Sequence, residues 1–178
     1  RTGDLMVNIR NYTSLRAVRI FLNLADTGIL KNEQLVELCI SIAARFAGEL
    51  LEQGIRVAVY ANGKDVLTGD PMKMQPSAGP GHMESINRAF ARISLEEGVY
   101  PFGELFRGEL EEEGKDMATL FLSVDRSPEF QEDIRTFARM GTDFTWMCPL
   151  FPRMESHVEE EEALHFIKLD AEEMLNGK

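Results

Sequence analysis

The chain has 178 residues, of which 44% are hydrophobic, and this is enough for one domain with a sizeable core. Its 30 acidic and 19 basic residues give a net charge of -11, which repels nucleic-acid phosphates, so we expect no nucleic-acid partner. Two isolated cysteines, Cys39 and Cys148, match neither a disulfide framework nor a metal-ligand spacing. We therefore expect a single domain, residues 1–178, in a reducing compartment.

The first half of the chain predicts strands on either side of one long helix. Alternating apolar residues predict an edge strand at residues 5–9, and a nearly continuous apolar run predicts a central strand at residues 18–24. Apolar residues at three-to-four-residue spacing predict a helix from the N-cap Asn32 to Gly54. An Asn-Gly dipeptide between strand-like runs predicts an antiparallel hairpin with its turn at residues 61–64.

The second half alternates helices and strands after a long irregular stretch. Prolines and glycines predict a loop at residues 69–81, and glutamates predict a solvated acidic loop at residues 152–163. The other predicted elements are helices at residues 83–93 and 102–114, a strand at 118–124, a helix capped by Ser127, strands at 144–148 and 165–169, and a C-terminal helix capped by Asp170.

This alternation predicts an α/β fold with a mostly parallel central sheet, helices on both faces and one antiparallel hairpin strand, in a Rossmann-like arrangement. Ligands of such sheets bind at the carboxyl ends of the strands, where loops and helix N-termini converge. We expect residues 23–28, 77–82 and 125–127 to meet at that edge. The candidate site residues are Asn23, Asp26, Thr27, His82 and Asp125.

The order of these elements resembles that of a von Willebrand factor A domain. The segments RTGDLMVNIRNYTS and VRIFLNLADTGILKNEQLVELCISIAARFAGELL more narrowly resemble the C-terminal part of bacterial domain-of-unknown-function family 58, whose members are often associated with MoxR-type AAA+ ATPases. This resemblance implies a longer, membrane-anchored protein with the domain on the cytoplasmic side of the cell membrane. It also implies cooperation with such an ATPase in the assembly or maturation of other proteins.

The von Willebrand family implies a metal-ion-dependent adhesion site, in which an Asp-x-Ser-x-Ser loop, a Thr and a second Asp hold Mg²⁺ or Mn²⁺. Residues 23–27 have an amide in place of the acid and keep only the final hydroxyl, whereas residues 26–30 keep the acid and lose both serines. His82 stands about where the Thr would lie, and Asp125 fits only with one residue of slack. Each departure removes an oxygen ligand. We expect a degenerate site without a cofactor, Mg²⁺ or Mn²⁺ binding being the alternative.

We therefore expect a protein-interaction module, not an enzyme, whose contact surface is the rim formed by the five candidate residues. Two alternatives stay open: a functional Mg²⁺- or Mn²⁺-dependent adhesion domain, and a small α/β hydrolase that uses Asp26 and His82. The chain has no Walker motif and no Gly-x-Ser-x-Gly elbow. Polar residues at a strand exit are also the ordinary turn-forming set, so each candidate has a structural interpretation beside the functional one.

Overall fold

The computed structural model describes residues 17–27, 32–112 and 117–177. The strand predicted at residues 5–9 lies outside the described residues. The elements, in chain order, are β1 (Ala17–Asn23), α1 (Glu33–Glu52), β2 (Arg56–Asp65), β3 (Pro71–Ser77), α2 (Pro80–Phe90), β4 (Ile93–Val99), α3 (Phe102–Glu112), β5 (Ala118–Ser123), α4 (Pro128–Ala138), β6 (Phe144–Leu150), β7 (Phe166–Asp170) and α5 (Ala171–Asn176).

All seven strands join one sheet of order β3-β2-β1-β5-β6-β7, with β4 paired to β2. Strands β1, β2, β5, β6 and β7 are parallel, whereas β3 and β4 run antiparallel to β2. The predicted α/β class with a mostly parallel sheet is confirmed. The strand order is Rossmann-like and consistent with the von Willebrand factor A type. A second antiparallel strand, β4, includes Ile93, which the apolar spacing had assigned to a helix.

Helices cover both faces of the sheet, and the two cores differ in chemistry. On one face α1 packs on β1, β2, β5 and β6 through mostly aliphatic residues, and α2 and α5 pack beside it. On the other face α3 and α4 cover an aromatic core centred on Phe21, whose ring lies 5.2 Å from Tyr60 and 5.5 Å from Phe121. Burial of each such side chain contributes roughly 1.5–3 kcal/mol, so β1 is anchored on both faces.

Three predicted helix caps are confirmed by side-chain hydrogen bonds. Asn32 Oδ1 accepts from Leu35 N at the start of α1, and Ser127 Oγ accepts from Phe130 N at the start of α4, both at 3.3 Å. Asp170 Oδ1 accepts from the N–H groups of Glu172 and Glu173 in the first turn of α5. Such caps satisfy donors that have no partner within the helix. Within the described ranges, no helix is long and apolar enough to cross a lipid bilayer.

Two predictions around the second strand are wrong. Residues 61–64 do not turn, because β2 continues to Asp65, and the loop predicted at residues 69–81 contains strand β3. The prolines of β3 are tolerated because the strand lies at the edge of the sheet, where a missing N–H costs no ladder bond. Since β3 runs antiparallel, the chain leaves it beside the amino ends of the parallel strands, where Ser77 pairs with Val57.

Candidate functional site

Three buried polar residues come together at the carboxyl edge of the sheet. Asn23 ends β1, Asn62 lies beside it in β2, and Asp125 follows β5 by two residues. Their relative exposures are 1%, 0% and 6%, so each side chain must find its hydrogen-bond partners within the protein. Because β1 lies between β2 and β5, Asn23 occupies the centre of this group.

The two amides form a chain of hydrogen bonds that begins at the backbone. The Leu24 N–H donates to Asn62 Oδ1 at 2.7 Å. Asn62 Nδ2 then donates to Asn23 Oδ1 at 2.9 Å and to the Tyr100 carbonyl at 3.1 Å. Asn23 is left with its Nδ2 group facing Asp125 Oδ2, at 3.3 Å. The chain therefore ends on a carboxylate.

Asp125 receives hydrogen bonds on both oxygens of its carboxylate. Thr27 Oγ1 donates to Oδ1 at 2.6 Å, the Ser127 N–H donates to the same oxygen at 2.9 Å, and Asn23 donates to the other. The Asp125 N–H in turn donates to Ser123 Oγ at 3.0 Å. The carboxylate therefore ties the loop after β1 to the loop after β5.

Asp26 has a different role from that of Asp125. Its Oδ2 accepts a hydrogen bond from the Asn32 N–H, just before α1. The carboxylate thus joins the loop after β1 to the start of the following helix. Of the two registers considered for the adhesion motif, only residues 23–27 lie wholly within the described residues, and they bring Asn23 and Thr27 to Asp125.

His82 lies at the opposite edge of the sheet, so the expectation that residues 77–82 join the other loops is wrong. Its Nε2 is 2.7 Å from the carbonyl oxygen of Val57, and Val57 pairs with Val18 near the amino ends of β2 and β1. A carbonyl only accepts, so Nε2 carries the proton and donates it. Asp26 and His82 cannot form a catalytic pair, because they lie at opposite ends of the strands.

An open groove of about 490 Å³ lies over the network, between the start of α3 and the start of α4. We call it the carboxyl-edge groove. Asn23, Thr27, Asn62, Asp125 and Ser127 line one part of it. The charged residues of its walls are Glu104, Arg107, Glu129, Glu132 and Asp133.

The charged residues of the carboxyl-edge groove affect the pKa of Asp133. Burial raises the pKa of its carboxyl group, Arg107 opposes the rise, and Glu129, Glu132 and Asp125 add to it. Arg107 Nη1 is 4.0 Å from Asp133 Oδ1, and because the Arg107 side chain is largely exposed, solvent screens this ion pair. The groove therefore has an excess of negative charge.

The residues at this edge do not fit a hard divalent cation. Mg²⁺ and Mn²⁺ require several oxygens whose lone pairs are free to face the metal. Here both Asp125 oxygens accept hydrogen bonds, and Asn23 presents N–H groups to that carboxylate. Across residues 17–27, 32–112 and 117–177, no group of three or more His, Cys, Asp or Glu side chains has a geometry suited to a metal.

Sequence reasoning missed Asn62 and the acidic walls of the carboxyl-edge groove. Asn62 was assigned to a turn, although its place after a buried apolar run matches that of Asn23. The wall residues come from the first turns of α3 and α4 and from the next turn of α4. Only the tertiary structure reveals that residues from the starts of these two helices line one groove.

Comparison with known proteins supports the fold. No protein-family model matches the chain, and none of the curated proteins matches it in sequence. Among solved structures, the fold is similar to that of proximal thread matrix protein 1 from the mussel byssus, with a TM-score of 0.53 at 9% sequence identity. The match covers 90% of this chain and 45% of the mussel protein. At this identity the likeness shows the fold alone.

Proposed function

We propose that this domain is a protein-interaction module whose contact surface is the carboxyl-edge groove and its border. The observation that supports the proposal is the groove itself, which lies over a buried network joining three strands. A surface built on such a network is held in one conformation before a partner arrives, which lowers the entropic cost of association. Of the five residues that the sequence suggested as the contact surface, Asn23, Thr27 and Asp125 line the groove and Asp26 lies beside it. His82 lies at the opposite edge of the sheet and is not part of the proposed surface.

The chemistry of the walls favours a cationic partner segment. Glu104 and Glu129 are exposed, Glu132 and Asp133 lie near them, and Arg107 is the one basic residue among the described lining residues. Burial and, to a lesser extent, neighbouring carboxylates raise the pKa of Asp133, and an entering lysine or arginine side chain would offset the repulsion from those carboxylates. We therefore propose a basic segment of a protein as the occupant of the groove.

The resemblance to family 58 motivates the wider proposal. According to this wider proposal, the chain is part of a membrane-anchored protein whose domain described above lies on the cytoplasmic side. That protein works with a MoxR-type AAA+ ATPase in protein assembly or maturation. A MoxR-type ATPase would then supply the basic segment. No observation on the described residues favours hydrolysis over binding, since Asp26 and His82 are separated by the length of the strands.

A charge-reversal experiment with purified proteins tests the proposal. The double variant Glu104→Lys, Glu129→Lys changes the walls, and the matched control Glu52→Lys, Glu172→Lys makes the same change in net charge at exposed positions outside the groove. The immobilised control is expected to retain as much purified ATPase as the wild type does. The groove variant is expected to retain at least tenfold less. Equal retention by both variants would exclude the groove as the contact surface.

A further inference from the structure

We infer that the Asn23 side-chain amide takes the place of a cation at this edge, and that the single substitution Asn23→Asp converts a metal-free site into a cation-dependent one. The observations are the hydrogen bonds at Asn23 and Asp125, and the inference does not depend on which partner the domain binds. The resemblance to the von Willebrand factor A domain implies a divalent ion at this location, and one of the chain's departures from that motif is the amide of Asn23 at the end of β1.

The orientation of the Asn23 amide is fixed by the backbone. Asn62 Oδ1 must face the Leu24 N–H, so its Nδ2 faces Asn23. Asn23 Oδ1 also accepts from the Ala25 N–H at 3.1 Å. If the Asn23 amide were flipped, its Nδ2 would face the N–H groups of Asn62 and Ala25, and its Oδ1 would face the Asp125 carboxylate. One orientation alone satisfies every group, and it directs N–H groups at Asp125.

These N–H groups do two things that a bound cation would otherwise do. They connect β1 to the loop after β5, and they stabilise the negative charge of a carboxylate that is 6% exposed. The Thr27 hydroxyl and the Ser127 N–H complete that stabilisation. Both oxygens of this buried carboxylate thus have hydrogen-bond donors that the protein itself provides. The site is therefore closed by the protein alone.

An aspartate at position 23 would reverse this arrangement. Its side chain has nearly the shape of asparagine, so an oxygen would replace the nitrogen that lies 3.3 Å from Asp125 Oδ2. Two carboxylates at such a distance repel each other unless a proton or a cation lies between them. The variant must therefore take up a proton, bind a divalent ion or lose stability. In the wild type the Asn23 amide donates to Asp125, so none of these three changes is required.

Melting temperatures with and without metal test the inference. For the wild type, millimolar Mg²⁺ or Mn²⁺ is expected to leave the melting temperature measured in EDTA unchanged. Asn23→Asp is expected to melt about 5 °C or more lower in EDTA at neutral pH, and to regain stability with Mn²⁺ or at acidic pH. The control Asn87→Asp, at an exposed position of α2, adds the same charge and is expected to show neither response.

Two outcomes would overturn the inference. The first is a wild type that Mg²⁺ or Mn²⁺ stabilises, with the effect lost in Asp125→Asn, since the site would then bind metal as it stands. The second is an Asn23→Asp variant as stable as the wild type in EDTA, with no response to metal or pH. If that variant does not fold, the ¹⁵N spectrum of the wild type provides the test. Mn²⁺ is expected to leave the Asn23 side-chain signals sharp. Selective broadening of those signals by Mn²⁺ would contradict the proposal.

Discussion

The amides and the carboxylate at one edge of the sheet make hydrogen bonds of a different kind from those of the histidine and the arginine at the other edge. At the carboxyl edge, Asn23, Asn62 and Asp125 are buried and bonded to one another across three strands. At the amino edge, partly buried His82 makes one bond to the Val57 carbonyl, and the exposed Arg56 donates to a backbone oxygen of β3. Removing one member of a shared, buried network leaves others unsatisfied, whereas a bond near solvent can be replaced by water.

The difference arises from strand direction. Parallel strands deliver the ends of β1 and β5 to the same edge, and the first helical turns after each lie there as well. The antiparallel strand β3 brings the start of α2 to the other edge. Polar residues that follow parallel strands therefore converge, and those that follow β3 lie apart from them. This contrast between the edges can be tested by substitution.

The largest effect is expected for Asp125→Ala. It removes the acceptor for the Asn23 amide, the Thr27 hydroxyl and the Ser127 N–H, and it leaves the buried amide without a partner. We expect the free energy of unfolding to fall by about 2–4 kcal/mol, measured by urea denaturation. Asp125→Asn keeps the shape and should lose less. A loss below about 0.5 kcal/mol for Asp125→Ala would show that the network adds little to stability.

A second contrast between the edges uses two glycines. A Cβ at Gly63 in β2 would lie 2.4 Å from Ile93 Cγ2 and 2.8 Å from Leu24 Cδ1, so Gly63→Ala should cost about 1–3 kcal/mol. A Cβ at Gly81 in α2 meets nothing within 4 Å, and Gly81→Ala should stabilise the protein by up to about 1 kcal/mol. Thermal unfolding of both variants compares them. Similar shifts for the two would contradict the close packing around Gly63.

Gly63 also explains why part of the fold could not be predicted. Asn62-Gly63 has the composition of a hairpin turn, but the asparagine is needed to bond Leu24 N and the glycine to admit Ile93. Both requirements come from residues distant in sequence. By contrast, β1, α1 and the caps Asn32 and Ser127 follow from local patterns, and the structure has them. Local chemistry was sufficient where it agreed with the tertiary contacts.

The candidate site was predictable to the same extent. The rule that ligand sites lie at the carboxyl edge located Asn23, Thr27 and Asp125 correctly beside one another. It misplaced His82, because strand β3 was not recognised and an unrecognised antiparallel strand moves the next loop to the other edge. Asn62 depends on the register of β2 against β1, and register is decided by packing that a single sequence does not display.

A smaller effect is expected for His82→Ala at the amino edge. The substitution removes one donor to the carbonyl of buried Val57, and the space left by the partly buried His82 ring allows water to replace that donor. We expect a loss of about 0.5–1.5 kcal/mol in urea denaturation, well below that of Asp125→Ala. His82→Gln serves as the control, because its amide can donate to the Val57 carbonyl, and it should recover part of the lost stability. A loss as large as that of Asp125→Ala would erase the distinction between the edges.

The smallest effect is expected for Asp133→Asn in the wall of the carboxyl-edge groove. Burial and neighbouring carboxylates raise the pKa of Asp133, so the folded protein binds its proton more tightly than the unfolded chain does. Stability from this group is therefore present at low pH and lost as the pH rises from the ordinary carboxyl range through the raised pKa. At neutral pH the ionised group is slightly destabilising, and Asp133→Asn should gain about 0.5 kcal/mol or less, because solvent screens the site.

Melting temperatures measured from acidic to neutral pH check this prediction. The difference between Asp133→Asn and the wild type should grow with pH and then level off above the raised pKa. Glu172→Gln, an exposed carboxylate outside the groove, is the control and should show no such growth. A wild type more stable than Asp133→Asn at neutral pH would mean that Arg107 compensates the charge fully. The groove would then lack the excess of negative charge that favours a basic partner.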